Sequence, residues 1–365
     1  MTRLHRRGVR PVAQQGSPET MDVFSDACQE AGKMALPEPL IGASVLVTGG
    51  TGTTGKLLVR WLLEQSGASR VIVFSRDEHK HHDMLRDPRF QHPALHSMVG
   101  DIRDLRRLRH ALEGVSLLLH TAAMKHVSIA EANPTEAVRT NIEGTMNIIE
   151  ASRDAGVLRV IAHSTDKAVQ PACIYGATKL VMEKLLIRAD AESGKDGPRF
   201  DIVRHGNLIG SRGSVIPLFQ EQMKSGRLTL TDPEMTRFWI DDETLVSIIY
   251  RAIVDGKGGD IFIPKLPACR LDTLAQAIAQ DATIEIIGAR PGEKRHEALT
   301  DPVEASRIRQ FDDYLVITAE HRSGNSHAGG APVTAGYQFR SDQAPLLEVQ
   351  QMRDIIDGNF RTEPA

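Results

Sequence analysis

The sequence predicts an α/β fold, a Rossmann-type doubly wound parallel sheet with a smaller C-terminal substrate-binding lobe. Two observations lead to this prediction. From Ser44 onward, short β-branched runs alternate with helical patterns, as they do in βαβ units. A glycine-rich turn at residues 49–55 separates the first of these strands from the first helix. In such a sheet the functional groups gather at the carboxyl ends of the strands.

Each predicted element follows from a local pattern. Apolar, β-branched runs predict strands at residues 44–48, 71–75, 96–100, 115–120 and 160–164. Amphipathic patterns predict helices at residues 55–65 and 135–155. The order of strands and helices therefore indicates a parallel sheet that is covered on both faces.

The domain organisation follows from where this alternation stops. Residues 44–210 predict mainly the nucleotide-binding domain, and residues 211–320 predict mainly the substrate-binding lobe. Residues 1–43 begin with several arginines but have no apolar core, which predicts a flexible extension rather than a signal peptide. Residues 321–365 predict a flexible linker, rich in Gly, Ser and Ala, and then a short helix at 346–356.

Composition narrows the class of function. A net charge of −3 leaves no basic field that would attract nucleic acid in bulk. No apolar run approaches the roughly 18 residues that a membrane span needs. Cys28, Cys173 and Cys269 are too few and too scattered for a disulfide framework, which predicts a reducing, cytoplasmic location.

The glycine-rich turn predicts a dinucleotide site. Its glycines follow the spacing G-x-x-G-x-x-G directly after a strand and at the start of a helix. Glycines in this position allow a tight turn and let a pyrophosphate reach the backbone N–H groups of the helix N-terminus. The candidate residues of the turn are Gly49, Thr51, Gly52, Thr53, Thr54 and Gly55.

The end of the second strand predicts which dinucleotide is bound. Ser75 and Arg76 stand where NAD-selective sites place an acid for the ribose 2′-OH, and a guanidinium suits a 2′-phosphate. NADP is therefore favoured, although Asp77 and Glu78 follow at once and leave NAD open. Further candidates for the cofactor site, after the third and fourth strands, are Asp101 (near the adenine), Ile102, Ala122 and Ala123.

A histidine cluster follows the same strand. His79, His81 and His82 suggest a metal site at first sight, but they lack cysteines or acids at the spacing that zinc requires. The cluster is predicted to be a solvated loop, and no metal is predicted for the protein.

Two pairs of side chains predict proton-transfer chemistry. Tyr175 and Lys179 lie one helical turn apart, so that the ammonium favours the phenolate and the tyrosine can act as a base. Asp166 and Lys167, a few residues earlier, add a second acid and a second base. The structural alternatives are an ordinary helix pair for the first two residues and a surface ion pair for the other two.

Several segments, in a fixed order, resemble one family. They are residues 49–55, 120–126 (HTAAMKH), 164–168 (STDKA), 175–179 (YGATK), 210–214 (GSRGS), 235–239 (MTRFW) and 290–294 (RPGEK). Together they resemble the inverting UDP-N-acetylglucosamine 4,6-dehydratases, which are extended short-chain dehydrogenase/reductases of deoxy-sugar and polysaccharide biosynthesis. The resemblance runs from about residue 44 to about residue 318 and implies a homo-oligomer, either a dimer or a hexamer.

The resemblance implies oxidation, elimination and reduction on one sugar ring. NADP⁺ takes a hydride from C4 while Tyr175 accepts the hydroxyl proton, and Lys179 lowers the phenol pKa and holds the nicotinamide ribose. Thr165 orients the C4 hydroxyl. Lys167 then removes the C5 proton, Asp166 protonates the departing C6 hydroxyl, and the hydride returns to C6. Retaining relatives carry an Asp-Glu pair at this position, so a lysine implies inversion at C5.

The remaining residues are candidates for contacts with the sugar, the nicotinamide and the diphosphate. Lys125 and His126 follow the fourth strand and either line the pocket or have a structural role. Asn141 either holds backbone or water near Lys179 or ends a turn. Candidates for the UDP moiety, some of whose arginines have structural salt bridges as an alternative, are Asn207, Arg212, Arg237, Arg290 and Glu293.

Some positions depart from the family pattern. Arg295 stands in place of an apolar residue, His205 in place of a tyrosine, and Asp241–Asp242 in place of a less acidic pair. These departures concern the identity of the substrate rather than the type of reaction. Alternatives are a dehydratase for another nucleotide sugar, a 4-epimerase, which has no use for the acid–amine pair, and a non-catalytic NADP-binding regulator.

Overall fold

The computed structural model describes residues 40–321 and 327–360, with side chains up to residue 358. The strands are β1 (Ser44–Thr48), β2 (Arg70–Ser75), β3 (Leu95–Val99), β4 (Leu117–His120), β5 (Arg159–Thr165), β6 (Arg199–His205), β7 (Asn207–Leu208), β8 (Arg227–Leu230), β9 (Thr236–Ile240), β10 (Ile261–Pro264), β11 (Ala268–Arg270), β12 (Thr283–Ile286), β13 (Ile308–Gln310), β14 (Tyr314–Ile317) and β15 (Ala331–Pro332). The α-helices are α1 (Thr53–Gln65), α2 (Glu78–Arg86), α3 (Leu105–Ala111), α4 (Val127–Ala132), α5 (Pro134–Val138), α6 (Gly144–Asp154), α7 (Ile174–Glu192), α8 (Val215–Met223), α9 (Asp242–Asp255), α10 (Leu271–Ile278) and α11 (Val349–Phe360). Short helical turns lie at Pro88–Phe90, Arg139–Glu143, Asp166–Ala168 and Pro302–Arg307. None of the helices in these described ranges is long and apolar enough to cross a membrane.

Within the described residues, ten strands form one large sheet in the order β15-β13-β14-β10-β6-β5-β4-β1-β2-β3. All neighbours from β3 across to β10 are parallel, and the remaining pairs are antiparallel. The predicted α/β fold with a doubly wound parallel sheet is therefore confirmed. The strand order reverses between β1 and β4, and the carboxyl ends of these two strands form the crevice in which such sheets bind ligands.

The core of the sheet explains why its strands have continuous apolar runs. Leu46 of β1 pairs with Ile72 of β2 on one side and with Leu118 of β4 on the other, and all three are fully buried. A parallel sheet that is covered on both faces buries successive side chains in both directions. The strand boundaries differ from the predicted ones by no more than two residues.

The second half of the chain contributes strands both to the large sheet and to two small sheets. Strands β10, β13, β14 and β15 return to the large sheet, whereas β7, β9 and β11, and separately β8 and β12, form small sheets. A separate apolar cluster joins these small sheets to α8, α10 and α11 and includes Phe219, Trp239, Leu274 and Met352. The predicted division after residue 210 therefore separates the substrate lobe only in part, because β10 and β14 lie in the main sheet.

The described part of the predicted linker is packed against the body of the protein. Ser341 is fully buried; its hydroxyl lies 2.6 Å from Thr236 Oγ1 and accepts a hydrogen bond from the Glu297 amide at 2.9 Å. His327 Nε2 lies 2.8 Å from Asp260 Oδ2. Small polar side chains of this segment therefore also pair with buried polar groups. The predicted extension up to residue 39, Cys28, residues 322–326 and residues 361–365 lie outside the described residues.

A buried ion network fastens α7 to β6 and to the turn Pro302–Arg307. Arg204 is 1% exposed and donates to both carboxylate oxygens of Glu183, at 3.0 and 2.7 Å. The same guanidinium donates to both oxygens of Glu304, each at 3.0 Å. Burial would lower the pKa of Arg204, but the two carboxylates raise it well above its usual range.

Replacing Arg204 with methionine should lower the free energy of unfolding by about 3–5 kcal/mol, because two buried carboxylates lose their shared cation. Urea unfolding followed by circular dichroism measures this change. Arg188→Met is the matched control, since Arg188 forms an exposed pair with Glu192 on α7 and should cost under about 0.5 kcal/mol. Equal unfolding midpoints for the two variants would contradict the prediction.

Candidate active site

The turn after β1 has the geometry of an anion-binding loop. Gly49 has φ of +66°, and a Cβ there would lie 2.9 Å from the Ala122 backbone at the end of β4. A Cβ on Gly55 would lie 2.3 Å from the Gly49 carbonyl oxygen, so only glycine fits at either position. Helix α1 begins at Thr53, immediately after Gly52, and its free N–H groups face the crevice. The turn fits a dinucleotide pyrophosphate.

A cleft of about 800 Å³ runs from this turn along the ends of β2, β3 and β4. The predicted cofactor and substrate residues that line it are Gly49, Thr51, Gly52, Thr53, Thr54, Gly55, Ser75, Arg76, Asp101, Ile102, Ala122, Ala123, Lys125, His126 and Arg212. The other predicted residues, Asn141, Thr165, Asp166, Lys167, Tyr175, Lys179, Asn207, Arg237, Arg290 and Glu293, do not line it. The predicted site is thus divided between the cleft and a buried cluster at the end of β5.

At the end of β2, hydroxyl groups and one imidazole form a hydrogen-bonded chain. Thr51 Oγ1 lies 2.8 Å from Ser75 Oγ, which lies 2.9 Å from His81 Nε2. His81 Nδ1 lies 2.7 Å from Ser97 Oγ on β3. The prediction that the histidine cluster is a solvated loop is wrong for His81, because this residue is 4% exposed on α2 and paired at both nitrogens. Burial lowers its pKa, so the ring is neutral.

Charged side chains surround the same end of the cleft. Arg76 is 59% exposed, and its Nη1 lies 3.6 Å from Asp101 Oδ2. Burial would raise the pKa of Asp101, but hydrogen bonds from Arg103 and the charge of Arg76 hold it below its ordinary value. Lys80 also lines the cleft and pairs with Asp77 at 3.0 Å. Asp101 Oδ2 is therefore already paired with guanidinium groups and Oδ1 accepts from the Arg103 amide, while Arg76 can turn toward a ligand.

Asn141 holds the loop after β4 from within the helix predicted at residues 135–155. It lies in a π-helical turn between α5 and α6 and is 2% exposed. Its side chain accepts from the Met124 amide at 2.8 Å and donates to the Met124 carbonyl at 3.0 Å. Its Nδ2 also donates to Thr178 Oγ1 on α7, at 2.9 Å. Because Asn141 contacts both Met124, which lines the cleft, and Thr178, this turn connects the cleft to the helix of Tyr175. π turns often occur at functional sites.

The acid–amine pair lies in a short helical turn directly after β5. Lys167 Nζ donates to Asp166 Oδ1 at 2.9 Å, and Thr165 Oγ1 donates to the same oxygen at 2.9 Å. Asp166 is fully buried, and its Oδ2 accepts no hydrogen bond from any described residue. A buried carboxylate oxygen without a partner is costly, which is typical of a site that receives a ligand group.

Glu297, which no local sequence pattern indicates, completes this cluster from the C-terminal half. Its Oε1 lies 3.5 Å from Lys167 Nζ, and its Oε2 lies 3.0 Å from Lys294 Nζ. Burial would lower the pKa of Lys167, but the carboxylates of Asp166 and Glu297 together raise it above its usual range. Burial would raise the pKa of Glu297, but Lys167 and Lys294 lower it. The four groups form a row of alternating charge, in the order Asp166, Lys167, Glu297 and Lys294, in which each charge is compensated by its neighbours.

Tyr175 begins α7 beside this row. A Cβ on Gly176 would lie 2.1 Å from the Lys167 carbonyl oxygen, so glycine allows the helix start to touch the Lys167 turn. Burial raises the pKa of Tyr175 to about 12, against the opposing effects of Lys167 and the Thr165 hydroxyl. The expected depression of the phenol pKa is therefore absent in the protein alone, because desolvation of the phenolate outweighs the nearby cation.

Lys179 has different partners from those expected. Its Nζ donates to the His163 carbonyl oxygen and lies 2.9 Å from Met182 Sδ. Burial lowers its pKa to about 8, against the charge of Glu183 one turn further along α7. Of the nearby cations, Lys167 is one that lowers the pKa of Tyr175, against the effect of burial.

The loop after β7 covers the other end of the cleft. The Arg212 amide donates to Thr53 Oγ1 at 3.2 Å, and a Cβ on Gly213 would lie 2.3 Å from His126 Cε1. Arg212, Lys125 and His126 are exposed at this end of the cleft. Burial lowers the pKa of Lys125, and burial together with the charge of Lys125 lowers that of His126. These groups lie where they can contact a ligand that spans the cleft.

The remaining predicted residues lie at the side of the buried cluster or away from it. Arg237 is 9% exposed and donates to the carbonyls of Thr236 and Arg295, at 2.8 and 3.1 Å, so much of its capacity is structural. Glu293 accepts from the Arg290 amide at 3.1 Å and stabilises a turn, while the Arg290 side chain is exposed. A further predicted residue, Asn207, is half-buried in β7.

The departures from the family pattern have local structural partners. Arg295 pairs with Asp232, at 3.4 Å, and with Glu234. The Asp241 carboxylate caps α9 by accepting from the Thr244 amide at 2.8 Å. These two substitutions need no change in the reaction.

The fold and the site define a dinucleotide-binding enzyme of the extended short-chain dehydrogenase/reductase class. The chain belongs to the polysaccharide biosynthesis protein family, whose model matches residues 45–319. A protein of Campylobacter jejuni named UDP-N-acetylglucosamine 4,6-dehydratase (inverting) is 40% identical over 86% of this chain and 97% of its own length. The resemblance that the motifs predict is therefore confirmed.

Another relative and two solved structures share the family or the fold. A Rickettsia rickettsii protein named UDP-glucose 4-epimerase is 37% identical over 87% of this chain and 96% of its own length. The X-ray structure of Pen from Bacillus thuringiensis matches with a TM-score of 0.83 at 35% identity, over 88% of this chain and 99% of that one. The dTDP-glucose 4,6-dehydratase DesIV from Streptomyces venezuelae, solved with NAD, shares the fold with a TM-score of 0.61 at 24% identity, over 69% of this chain and 86% of that one.

Proposed function

We propose that this protein is an NADP-dependent nucleotide-sugar 4,6-dehydratase that converts UDP-N-acetylglucosamine to a 4-keto-6-deoxy sugar with inversion at C5. The observation that carries the proposal is the buried Asp166–Lys167 pair, 2.9 Å apart, against the helix start that bears Tyr175. Oxidation at C4 needs one base, whereas loss of water across C5 and C6 needs a further base and a further acid. The name of the Campylobacter jejuni relative supports the same reaction.

One proton shift prepares both members of the pair. Lys167 is an ammonium in the resting protein because the neighbouring carboxylates raise its pKa. Transfer of its proton to Asp166 along their hydrogen bond gives a neutral amine and a neutral carboxylic acid. The amine can then accept the C5 proton, and the acid can protonate the C6 hydroxyl as it leaves. Burial favours this neutral pair because two charges disappear together.

Tyr175 accepts the C4 hydroxyl proton, and Thr165 orients that hydroxyl. The nicotinamide supplies, when bound, the hydride acceptor for C4 and the hydride donor for C6. A ketone at C4 acidifies the C5 proton, which Lys167 removes only after this oxidation. The Asp166 Oδ2 atom, which has no partner among the described residues, accepts a hydrogen bond from the C6 hydroxyl. The proton that Lys167 transfers arrives on Oδ1, and rotation of the neutral carboxyl group brings it to the departing C6 hydroxyl. Inversion at C5 is assigned to Lys167 by likeness to the inverting enzymes.

Groups at the β2 end of the cleft support NADP rather than NAD as the cofactor. Ser75 and Arg76 occupy the end of β2, and Lys80 lines the same part of the cleft, so donors and cations surround the expected position of the ribose 2′-substituent. Such groups suit a 2′-phosphate, whereas a ribose 2′-OH is usually held by a carboxylate. At the other end, Arg212 and Lys125 offer positive charge for the UDP diphosphate.

Incubation of the full chain with UDP-N-acetylglucosamine and NADP⁺ in D₂O tests the proposal. Mass spectrometry should detect the loss of one water. NMR should detect a C6 methyl group, deuterium at C5 and the inverted C5 configuration. An unchanged mass with C4 inverted would replace the proposal with the 4-epimerase activity for which the Rickettsia relative is named.

A further inference from the structure

The hydrogen-bonded chain at the end of β2 has a direction that its geometry determines. His81 Nε2 lies 2.9 Å from Ser75 Oγ and also 3.1 Å from the Ser75 carbonyl oxygen. A carbonyl oxygen can only accept, so Nε2 carries the ring proton. His81 Nδ1 is then an acceptor, and the Ser97 hydroxyl donates a hydrogen bond to it at 2.7 Å.

This tautomer leaves one hydroxyl proton available to the cleft. Ser75 Oγ accepts from His81, so the hydroxyl protons of Ser75 and Thr51 are both free of the imidazole. One of them is used in the 2.8 Å contact between the two hydroxyls, whichever residue donates. The other is available to donate to a ligand in the cleft, which both residues line. With the opposite tautomer, Ser75 would donate to His81 and Thr51 to Ser75, and no proton would remain.

We propose that His81 is a positioning residue that makes the Ser75–Thr51 hydroxyl pair a hydrogen-bond donor and so selects a 2′-phosphate over a 2′-hydroxyl at the dinucleotide site. A phosphate oxygen only accepts, and a hydrogen bond to a charged acceptor is stronger than one to a neutral acceptor. A ribose 2′-OH gains less from this donor, because its oxygen is a neutral acceptor. The inference rests on the proposed NADP dependence and adds a residue that acts without touching the cofactor.

The surroundings of His81 support a neutral, fixed ring. It is 4% exposed, and burial lowers its pKa despite the opposing Ser75 hydrogen bond and the charge of Asp77. The anion-binding charge therefore comes from Arg76 and Lys80, and His81 contributes only the direction of the hydroxyl protons.

Fluorescence titration of the full chain, freed of bound nucleotide, with NADPH and with NADH tests the inference. In His81→Leu, the dissociation constant for NADPH should rise on the order of tenfold while that for NADH stays within about twofold. His81→Gln should restore much of the preference, because its amide nitrogen can donate where Nε2 does. His82→Leu, which changes an exposed neighbour on α2, should bind both as the wild type does.

The melting temperatures of the variants and the wild type show whether a loss of NADPH affinity comes from a folding defect. Equal weakening of NADPH and NADH in His81→Leu, or no rescue by His81→Gln, would overturn the positioning role. If the wild type prefers NADPH and Arg76→Ala removes that preference while His81→Leu does not, the inference fails and the proposed NADP dependence stands. If the wild type binds both dinucleotides equally, the NADP dependence fails and the inference fails with it.

Discussion

Replacing Lys167 with arginine should lower the rate of dehydration by about 10²–10⁴-fold, the usual contribution of a general base. A guanidinium keeps the positive charge between Asp166 and Glu297, but it cannot become a neutral base in a protein. Oxidation at C4 should persist, because it depends on Tyr175. In a single turnover of the variant, we therefore expect reduced nicotinamide to form and to persist, and no C6 methyl product to appear.

Two comparisons make this prediction sharp. Deuterium exchange at C5 should fall by the same factor as dehydration, since both need the amine. Lys184→Arg, which changes an exposed lysine on α7, should leave all three measurements unchanged. Dehydration at near the wild-type rate in Lys167→Arg would mean that another group removes the C5 proton.

Replacing Tyr175 with phenylalanine should stop the reaction earlier. Without the phenol, no group takes the C4 hydroxyl proton, and the rate should fall by about 10²–10⁴-fold. Reduced nicotinamide should not form, and C5 exchange should also be lost, because the C5 proton is acidic only next to the C4 ketone. NADPH affinity should remain, since it depends on the phosphate loop and on the end of β2.

The pH dependence of the wild-type enzyme is a second test of the role of Tyr175 as a base. Burial raises the pKa of Tyr175 to about 12, so the phenol of the free protein is protonated at neutral pH. The rate of C4 oxidation should then rise with pH below that value. Tyr250→Phe is the matched control, because the buried Tyr250 hydroxyl has no hydrogen-bond partner among the described residues. Hydride transfer at the wild-type rate in Tyr175→Phe would contradict the assigned role.

Much of the fold was predictable because its signals are local. A continuous apolar run such as residues 44–48 predicts a strand buried on both faces, and the glycines of residues 49–55 predict a tight turn before a helix. The exceptions have tertiary causes. The helix predicted at residues 135–155 forms, but it contains a π turn at Arg139–Glu143, where Asn141 pairs with the Met124 backbone. The linker composition at residues 327–343 gave no indication that Ser341 pairs with Glu297 and Thr236.

The candidate site was predictable where its residues lie next to one another in the chain. Asp166 and Lys167 are neighbours, so their contact follows from spacing alone. Glu297 could not be found in this way, because it lies 130 positions beyond Lys167 in the chain and reaches it only through the packing of residues 290–297 on the β5 turn. The histidine cluster likewise gave no sign that His81 is buried while His79 and His82 are exposed.

The sequence by itself determined the fold class, the dinucleotide turn, the family and the acid–amine pair, because each depends on residue types at short spacing. Only the tertiary structure decided which charges act on that pair, because Glu297 lies 3.5 Å from Lys167 Nζ and Lys294 pairs with the same carboxylate. It also decided that His81 is part of the cofactor end of the cleft. Burial and distance govern charge and hydrogen-bond direction, and neither is encoded in the spacing of residues along the chain.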